Sequence, residues 1–266
     1  MNSPMPDASP RPWEPAPQHL RAERDEVHVF RLLLPRPVYE VESLRSLLSD
    51  DELSRADAFH FSRDRSNFIV GRGVLRTILG RYLLQPPTRL RFDYNPFGKP
   101  RLHNADCATP PRFNLSHAGD VILYAVADGR EVGVDVERLR EDVAYSEIAG
   151  QFFSGSEVAA LGALPSSARA GAFFNCWTRK EAYVKARGTG LSLPLDAFDV
   201  SVAPGEPAAL LETRHDPHDA ARWSLGELTP APGYVAALAV EGTGWRLNCW
   251  NWVAQAGAYC SPRREL

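Results

Sequence analysis

The sequence lacks long hydrophobic runs and a recognisable leader. Nowhere do about 18 apolar residues follow one another, and no basic start leads into an apolar stretch at the N-terminus. The four cysteines have no CxxC spacing, so the pattern predicts neither a zinc site nor a disulfide framework. We therefore expect no membrane span, no secretory signal and no membrane partner, and we place the protein in the reducing cytoplasm.

The charges nearly balance, but they are unevenly distributed. The 266 residues carry a formal net charge of -3, which argues against a protein that wraps nucleic acid through bulk electrostatics. Between residues 61 and 103 there are nine basic residues and two acidic ones, whereas residues 128–147 hold seven acids and three arginines. This separation predicts one region that binds an anion and another that binds a cation, as a phosphate ligand and a metal ion would require.

The arginine-rich stretch leaves a nucleic-acid-binding protein as an alternative. Such a protein would interleave exposed aromatic residues with the basic ones. The stretch instead offers mainly aromatic residues of the core type, at Phe68 and Tyr82. We therefore expect no nucleic-acid partner.

Composition and periodicity divide the chain into three parts. Residues 1–25 are rich in proline and lack apolar periodicity, which predicts a disordered tail. Residues 26–138 show a strand, helical segments and an antiparallel meander, and residues 139–266 repeat the plan with a helix that stops at Gly188. The pattern predicts an α+β fold of two similar lobes, each an antiparallel sheet packed against a long helix, with the active site in the cleft between them.

Two carboxylates lie close together on a predicted strand. Because successive side chains of a strand point to opposite faces, Asp135 and Glu137 project from one face, about 7 Å apart along the strand. Two like charges at this spacing favour a compensating cation, and Mg²⁺ prefers oxygen ligands. The alternative is a solvated strand face, for which so short a pattern is common.

A third acid interrupts the apolar stripe of the second long helix. Glu181 follows Trp177 by four residues, on the line where the apolar stripe should continue, and Lys185 lies one turn further along. Burying a carboxylate without a partner is unfavourable, so Glu181 is expected to bind a metal ion or a base. The alternative is a surface ion pair between Glu181 and Lys185.

Two basic residues lie at turns that would hold them out from the backbone. Lys99 lies in the Gly- and Pro-rich loop "NPFGKP", and His117 ends a strand just before a turn at Gly119. Both would add anion-binding capacity. The alternatives are a solvated lysine and a hydrogen-bonded structural histidine.

Four motifs in this order resemble those of a known enzyme family. They are "FGKP" (97–100), "FNLSH" (113–117), "VGVDVE" (132–137) and "WTRKEAYVKARGTGL" (177–191), and they resemble the surfactin-synthetase-activating type of 4′-phosphopantetheinyl transferase over roughly residues 26–241. The resemblance implies a pseudo-dimer within one chain. It also implies transfer of the 4′-phosphopantetheine arm of coenzyme A to a serine of an apo acyl or peptidyl carrier protein, with release of adenosine 3′,5′-bisphosphate.

The same resemblance implies the site residues. The Mg²⁺ ligands, for which Mn²⁺ is an alternative metal, fall on Asp135, Glu137 and Glu181. Glu181 becomes the candidate base, with a metal-bound water as the alternative, and Lys185 the residue that steadies or protonates the leaving phosphate. Coenzyme A, the co-substrate, is placed against Arg55, Lys99, Pro100, Ser116 and His117.

Two further expectations concern partners. A carrier protein would dock near residues 144–161, where Phe152 or Phe153 is either an exposed anchor or part of the core. The internal two-lobe plan predicts a monomer. A non-catalytic module of the same fold that only binds coenzyme A or a carrier protein remains the alternative function.

Overall fold

The computed structural model describes residues 12–103, 110–140 and 142–253, apart from the side chain of Leu191. The strands are β1 Glu14–Pro15, β2 Glu26–Leu33, β3 Phe92–Tyr94, β4 Pro100–Leu102, β5 Arg112–Ala118, β6 Val121–Ala127, β7 Val132–Arg138, β8 Phe198–Val200, β9 Leu210–Thr213, β10 Trp223–Leu228, β11 Tyr234–Glu241 and β12 Arg246–Asn251. The α-helices are α1 Val38–Arg45, α2 Asp50–Asp57, α3 Ser62–Leu83, α4 Tyr145–Phe152, α5 Gly155–Ala163, α6 Ser166–Arg187 and α7 Asp219–Arg222.

The two long helices form where the sequence predicts them. The helix α3 runs unbroken through Gly71 and Gly73, and Gly73 is needed because an added Cβ would lie 2.7 Å from Leu44 Cβ of α1. The helix α6 stops at Gly188, whose φ of 66° is readily adopted by glycine. The short helix α2 begins at a capping box formed by Ser49 and Glu52.

Two sheets lie back to back between the long helices. The first has the strand order β1-β12-β2-β6-β5 and the second the order β10-β11-β7. Apolar side chains of α3 pack with Phe30 and Tyr124 on one face of the first sheet, and those of α6 pack with Ala237 of the second. Valines from β2, β6 and β7 fill the space between the sheets. The predicted α+β class with two lobes is confirmed, and its layers follow the order helix, sheet, sheet, helix.

The strand assignments differ from the expected division at residue 138. The strand β7, expected to close the first lobe, pairs antiparallel with β11 of the second sheet instead. In return, β12 pairs parallel with β2 of the first sheet, with Leu247 opposite Val27. Each sheet therefore contains a strand from the other half of the chain, which the proposed boundary between 26–138 and 139–266 does not capture.

Part of the predicted tail is ordered. The strand β1 adds to the edge of β12, Trp13 Nε1 donates to the Thr229 carbonyl at 3.0 Å, and Leu20 is buried. The prediction of disorder is wrong for residues 12–25 because Trp13 and Leu20 supply apolar area that can be buried against the sheet. Residues 1–11 lie outside the described residues.

Part of the basic stretch is used inside the first lobe. Glu52 is buried and pairs with Arg72 at 2.6 Å and with Arg76 at 2.6 Å. Burial opposes ionisation of Glu52, but the two guanidinium groups lower its pKa overall. These arginines therefore neutralise an internal acid.

Among the described residues, no helix combines the length and apolar character needed to cross a membrane.

Candidate active site

The candidate site lies where β7 presses against α6. Val132, Val134 and Val136 point into the space between the sheets, so the alternate residues of β7 lie on the face towards α6. Gly133 permits this approach, because an added Cβ would lie 2.1 Å from the Ala182 carbonyl oxygen. The alternation thus places Asp135 beside the last turns of α6.

Asp135 is the centre of the polar contacts at this junction. Its side chain is buried, and Oδ1 accepts hydrogen bonds from Lys185 Nζ at 2.5 Å and from Ser116 Oγ at 2.9 Å. Lys185 Nζ also donates to Ser116 Oγ at 3.0 Å. Asp135 Oδ2 is buried and has no hydrogen-bond partner among the described residues. One carboxylate oxygen is therefore satisfied by the protein and the other is not.

Two further carboxylates share the electrostatic field of Asp135. Burial raises the pKa of Glu181, and the charge of Asp135 raises it further, while Lys185 lowers it. Burial likewise raises the pKa of Glu137, with Asp135 and Glu181 adding to the effect and Lys185 and Arg140 opposing it. Asp135 therefore disfavours the charged forms of Glu137 and Glu181, which is the situation that a bound cation relieves.

The donor set fits a hard divalent cation, although no metal cage is assembled. Within the described ranges, no three His, Cys, Asp or Glu side chains are grouped closely enough to hold a metal ion. The Lys185 ammonium compensates the charge of Asp135. The unpartnered Oδ2 of Asp135, together with the raised pKa values of Glu137 and Glu181, still matches the oxygen ligands that Mg²⁺ takes.

A cavity of about 540 Å³ opens beside these residues. Its walls come from both lobes, with Arg55 and His117 on the first and Glu181 and Lys185 on the second. Six of the predicted residues line it, namely Arg55, Lys99, Pro100, His117, Glu181 and Lys185. Asp135, Glu137 and Ser116 do not line it. The hydroxyl of Ser116 orients Asp135 instead of facing the cavity.

The three basic side chains of the first lobe differ in how freely they can bind a ligand. The guanidinium of Arg55 lies 5.5 Å from the centre of the Phe68 ring. The exposed ring of His117 lines the cavity; partial desolvation lowers its pKa and the Lys185 charge lowers it further, while Asp64 acts in the opposite direction. Lys99 Nζ, by contrast, is bound to three acceptors of the protein.

Asn114 is a site residue that the sequence reasoning missed. It is buried, lines the cavity, and its Oδ1 accepts a hydrogen bond from the Val134 backbone N–H at 2.9 Å. The strands β5 and β7 are neighbouring sheet edges without ladder pairing, so this bond and that from Ser116 to Asp135 join them. The signal was available in "FNLSH", because Asn114 and Ser116 are two residues apart and share a strand face.

The two candidate anchors for a protein partner have different environments. Phe153 is 5% exposed and stacks on Phe173, so it belongs to the core. Phe152 is 39% exposed and contacts Trp177 edge to face. Only Phe152 is therefore accessible to a partner.

Comparisons with known proteins assign the chain to a family. Residues 131–239 match the family model described as the 4′-phosphopantetheinyl transferase superfamily, and residues 36–128 match the one described as 4′-phosphopantetheinyl transferase, N-terminal. The two matches meet in the turn before β7. The chain belongs to the 4′-phosphopantetheinyl transferase superfamily.

Individual relatives show which type of 4′-phosphopantetheinyl transferase the chain resembles. The chain is 40% identical over 240 residues to the 4′-phosphopantetheinyl transferase HetI of Nostoc sp., covering 90% of this chain and 98% of that protein. It is 29% identical over 192 residues to the 4′-phosphopantetheinyl transferase Sfp of Bacillus subtilis, covering 71% and 83%. It is also 29% identical over 164 residues to the L-aminoadipate-semialdehyde dehydrogenase-phosphopantetheinyl transferase of Xenopus laevis, covering 58% and 54%. The predicted Sfp-type resemblance is confirmed.

Proposed function

We propose that this protein transfers the 4′-phosphopantetheine arm of coenzyme A to a serine of an apo acyl or peptidyl carrier protein. The serine oxygen attacks the β-phosphorus of the pyrophosphate and forms a new P–O ester bond. The P–O bond to the bridging oxygen breaks, so that adenosine 3′,5′-bisphosphate leaves, and the serine gives up its proton. The observation that carries the proposal is the buried Asp135, bound on one oxygen by Lys185 and unpartnered on the other, behind a cavity formed by both lobes.

The second lobe supplies the reacting groups in this proposal. Glu181 lines the cavity with a raised pKa, which makes its carboxylate a better acceptor for the serine proton. Lys185 lines the same wall and brings an ammonium that stabilises the negative charge developing on the leaving phosphate. Ser116 holds both Lys185 and Asp135 through its hydroxyl.

We assign the proposed metal ion to the carboxylates of Asp135, Glu137 and Glu181. When bound, Mg²⁺ would polarise the phosphate oxygens and neutralise charge during phosphoryl transfer. Lys185 can turn from Asp135 towards the phosphate, because its side chain is partly exposed and has a flexible four-carbon stem. Mn²⁺ shares the preference for oxygen ligands and is the alternative metal.

The first lobe supplies the groups that bind coenzyme A in this proposal. Arg55 and His117 line the cavity, and each carries donors suited to phosphate oxygens. Pro100 and the aliphatic stem of Lys99 form part of the wall.

The carrier protein would approach the exposed Phe152. One chain supplies both walls, which supports a monomeric enzyme, and cysteines without paired spacing support the cytoplasm as its location.

The test is intact-mass spectrometry of apo carrier proteins incubated with this protein, coenzyme A and Mg²⁺. We expect a mass gain of one phosphopantetheine group, lost with EDTA and lowered about a hundredfold or more in rate by Glu181→Gln. Transfer that persists in EDTA would refute the metal assignment alone. No mass gain with carriers from several pathways, while coenzyme A still binds, would favour the non-catalytic binding module.

A further inference from the structure

The hairpin between β3 and β4 grips the C-terminal end of α6. Asn95 Nδ2 donates to the Gly188 carbonyl at 2.6 Å, and Asn95 Oδ1 accepts from the backbone N–H groups of Phe97 and Lys99 at 3.0 and 2.9 Å. Phe97 packs on Gly190, where an added Cβ would lie 2.9 Å from Phe97 Cβ. The hairpin belongs to the first half of the chain and α6 to the second, so this contact joins the two halves at the cavity wall.

Lys99 makes the central contact of this junction. Its Nζ donates to Glu131 Oε2 at 3.0 Å, to the Val132 carbonyl at 3.3 Å and to the Ala186 carbonyl at 2.8 Å. An ammonium has three protons to donate, and these three acceptors account for them. The side chain is only 16% exposed. The ammonium is therefore fully engaged by the protein and leaves no donor for a phosphate.

Two of the three acceptors lie on the elements that carry the proposed reacting groups, and Glu131 lies in the turn just before β7. Ala186 follows Lys185 on α6. Its carbonyl group lies in the last turn, so it has no hydrogen-bond partner within the helix and attracts a cation. Val132 begins β7, three residues before Asp135. One ammonium reaches both carbonyls because Gly133 lets β7 and α6 touch.

We propose that Lys99 is not a phosphate ligand but a positioning residue. It clamps α6 to β7 and so places Lys185 beside Asp135. This inference rests on the proposed transferase function. The ammonium acts through the backbone carbonyls of Ala186 and Val132. Its removal should therefore loosen the contact between α6 and β7. The clamp predicts a loss of turnover, whereas a phosphate ligand predicts a loss of coenzyme A binding.

The experiment measures kcat at saturating coenzyme A and the Kd for coenzyme A in Lys99→Met and Lys99→Arg. We expect kcat to fall about tenfold or more in both variants, with Kd within about threefold of wild type. Arginine keeps the charge, but its planar fork cannot direct donors to three converging acceptors. The matched control is Arg101→Met, since Arg101 lies on the same hairpin, is 68% exposed and pairs only loosely with Asp93 at 3.7 Å; its kcat should match wild type.

Each other result overturns the clamp. A larger weakening of coenzyme A binding in Lys99→Met identifies a phosphate ligand. A kcat that Lys99→Arg restores shows that positive charge alone is sufficient and refutes the clamp through three acceptors. An unchanged kcat in both variants also refutes the proposal. Hydrogen exchange supplies a readout without turnover, because a loosened clamp should speed exchange of the Gly188 amide, which is bonded to the Val184 carbonyl at 2.9 Å. If wild type transfers nothing, the proposed function fails, and unchanged exchange would refute the clamp separately.

Discussion

His28 is a buried histidine outside the active site, and its environment couples stability to pH. It is 1% exposed, with Nδ1 2.5 Å from Tyr82 Oη and Nε2 3.2 Å from Glu26 Oε2. Burial lowers the pKa of His28 below its ordinary value of 6.5, although Glu26 acts in the opposite direction. The neutral ring is therefore the form that the folded protein prefers.

The sign of the pH effect follows from this lowered pKa. Above about pH 6.5 the ring is neutral in both states, and below it the unfolded chain binds a proton that the folded protein does not. The free energy of unfolding should therefore fall as the pH drops through the range between the unfolded and the folded pKa. We predict that urea unfolding at about pH 7.5 and about pH 5.5 shows a stability loss in wild type that is about 1 kcal/mol larger than in His28→Gln. An equal loss in both proteins would contradict the assignment.

The sequence predicted the types of residue at the site better than it predicted the directions in which their side chains point. Period-two alternation predicted that Asp135 and Glu137 share one face of β7, but not that this face lies against α6. The same rule puts Ser116 and His117 on opposite faces of one strand, and the structure assigns only His117 to the cavity wall. Which side chain turns to Asp135 depends on where β7 lies, and local sequence does not carry that information. The ammonium contacts of Lys99 are of the same kind, since all three acceptors are distant in sequence.

At the scale of elements, the contact between β7 and α6 depends on one glycine. An alanine Cβ at Gly133 would lie 2.1 Å from the Ala182 carbonyl oxygen and 2.3 Å from the Ala186 nitrogen. Both neighbours are backbone atoms, so no side-chain rotation relieves the clash. The strand and the helix must move apart, and Asp135 would move with the strand.

We therefore predict that Gly133→Ala destabilises the protein by about 1–3 kcal/mol and lowers the transfer rate. The matched control is Gly150→Ala in α4, where an added Cβ meets nothing within 4 Å and a helix gains from alanine. Denaturant unfolding and a transfer assay on both variants provide the measurement. Equal stability of the two variants would mean that β7 and α6 are not held at this distance.

The elements themselves were largely visible in the sequence, but their pairing was not. The apolar alternation of "WRLNCWNWV" predicts a strand, and β12 covers Arg246–Asn251. Nothing in that alternation selects a parallel neighbour some 220 residues earlier in the chain, because both faces of β2 and of β12 offer apolar side chains. Pairing is decided by the edge of β2 that the rest of the first lobe leaves open.

At the scale of the whole molecule, the two halves exchange strands. The first sheet includes β12 from the end of the chain, and the second includes β7 from the first half. Side chains add to this exchange, since Asn251 Nδ2 donates to the Trp13 carbonyl at 2.7 Å and Arg31 Nε donates to Asn251 Oδ1 at 2.9 Å. Neither half therefore has a complete sheet of its own.

This exchange predicts how a divided chain behaves. A protease site inserted after Gly129 lies in an exposed turn, where an added Cβ meets nothing within 4 Å. After cleavage there, we expect the two pieces to co-purify, to retain transferase activity and to separate only in denaturant, because strand pairing and the valine layer between the sheets hold them. Two different fragments, residues 1–138 and 139–266, each expressed alone, should show no cooperative unfolding, since each lacks a strand that its sheet requires. Cooperative unfolding of either fragment alone would instead establish residue 138 as a true domain boundary.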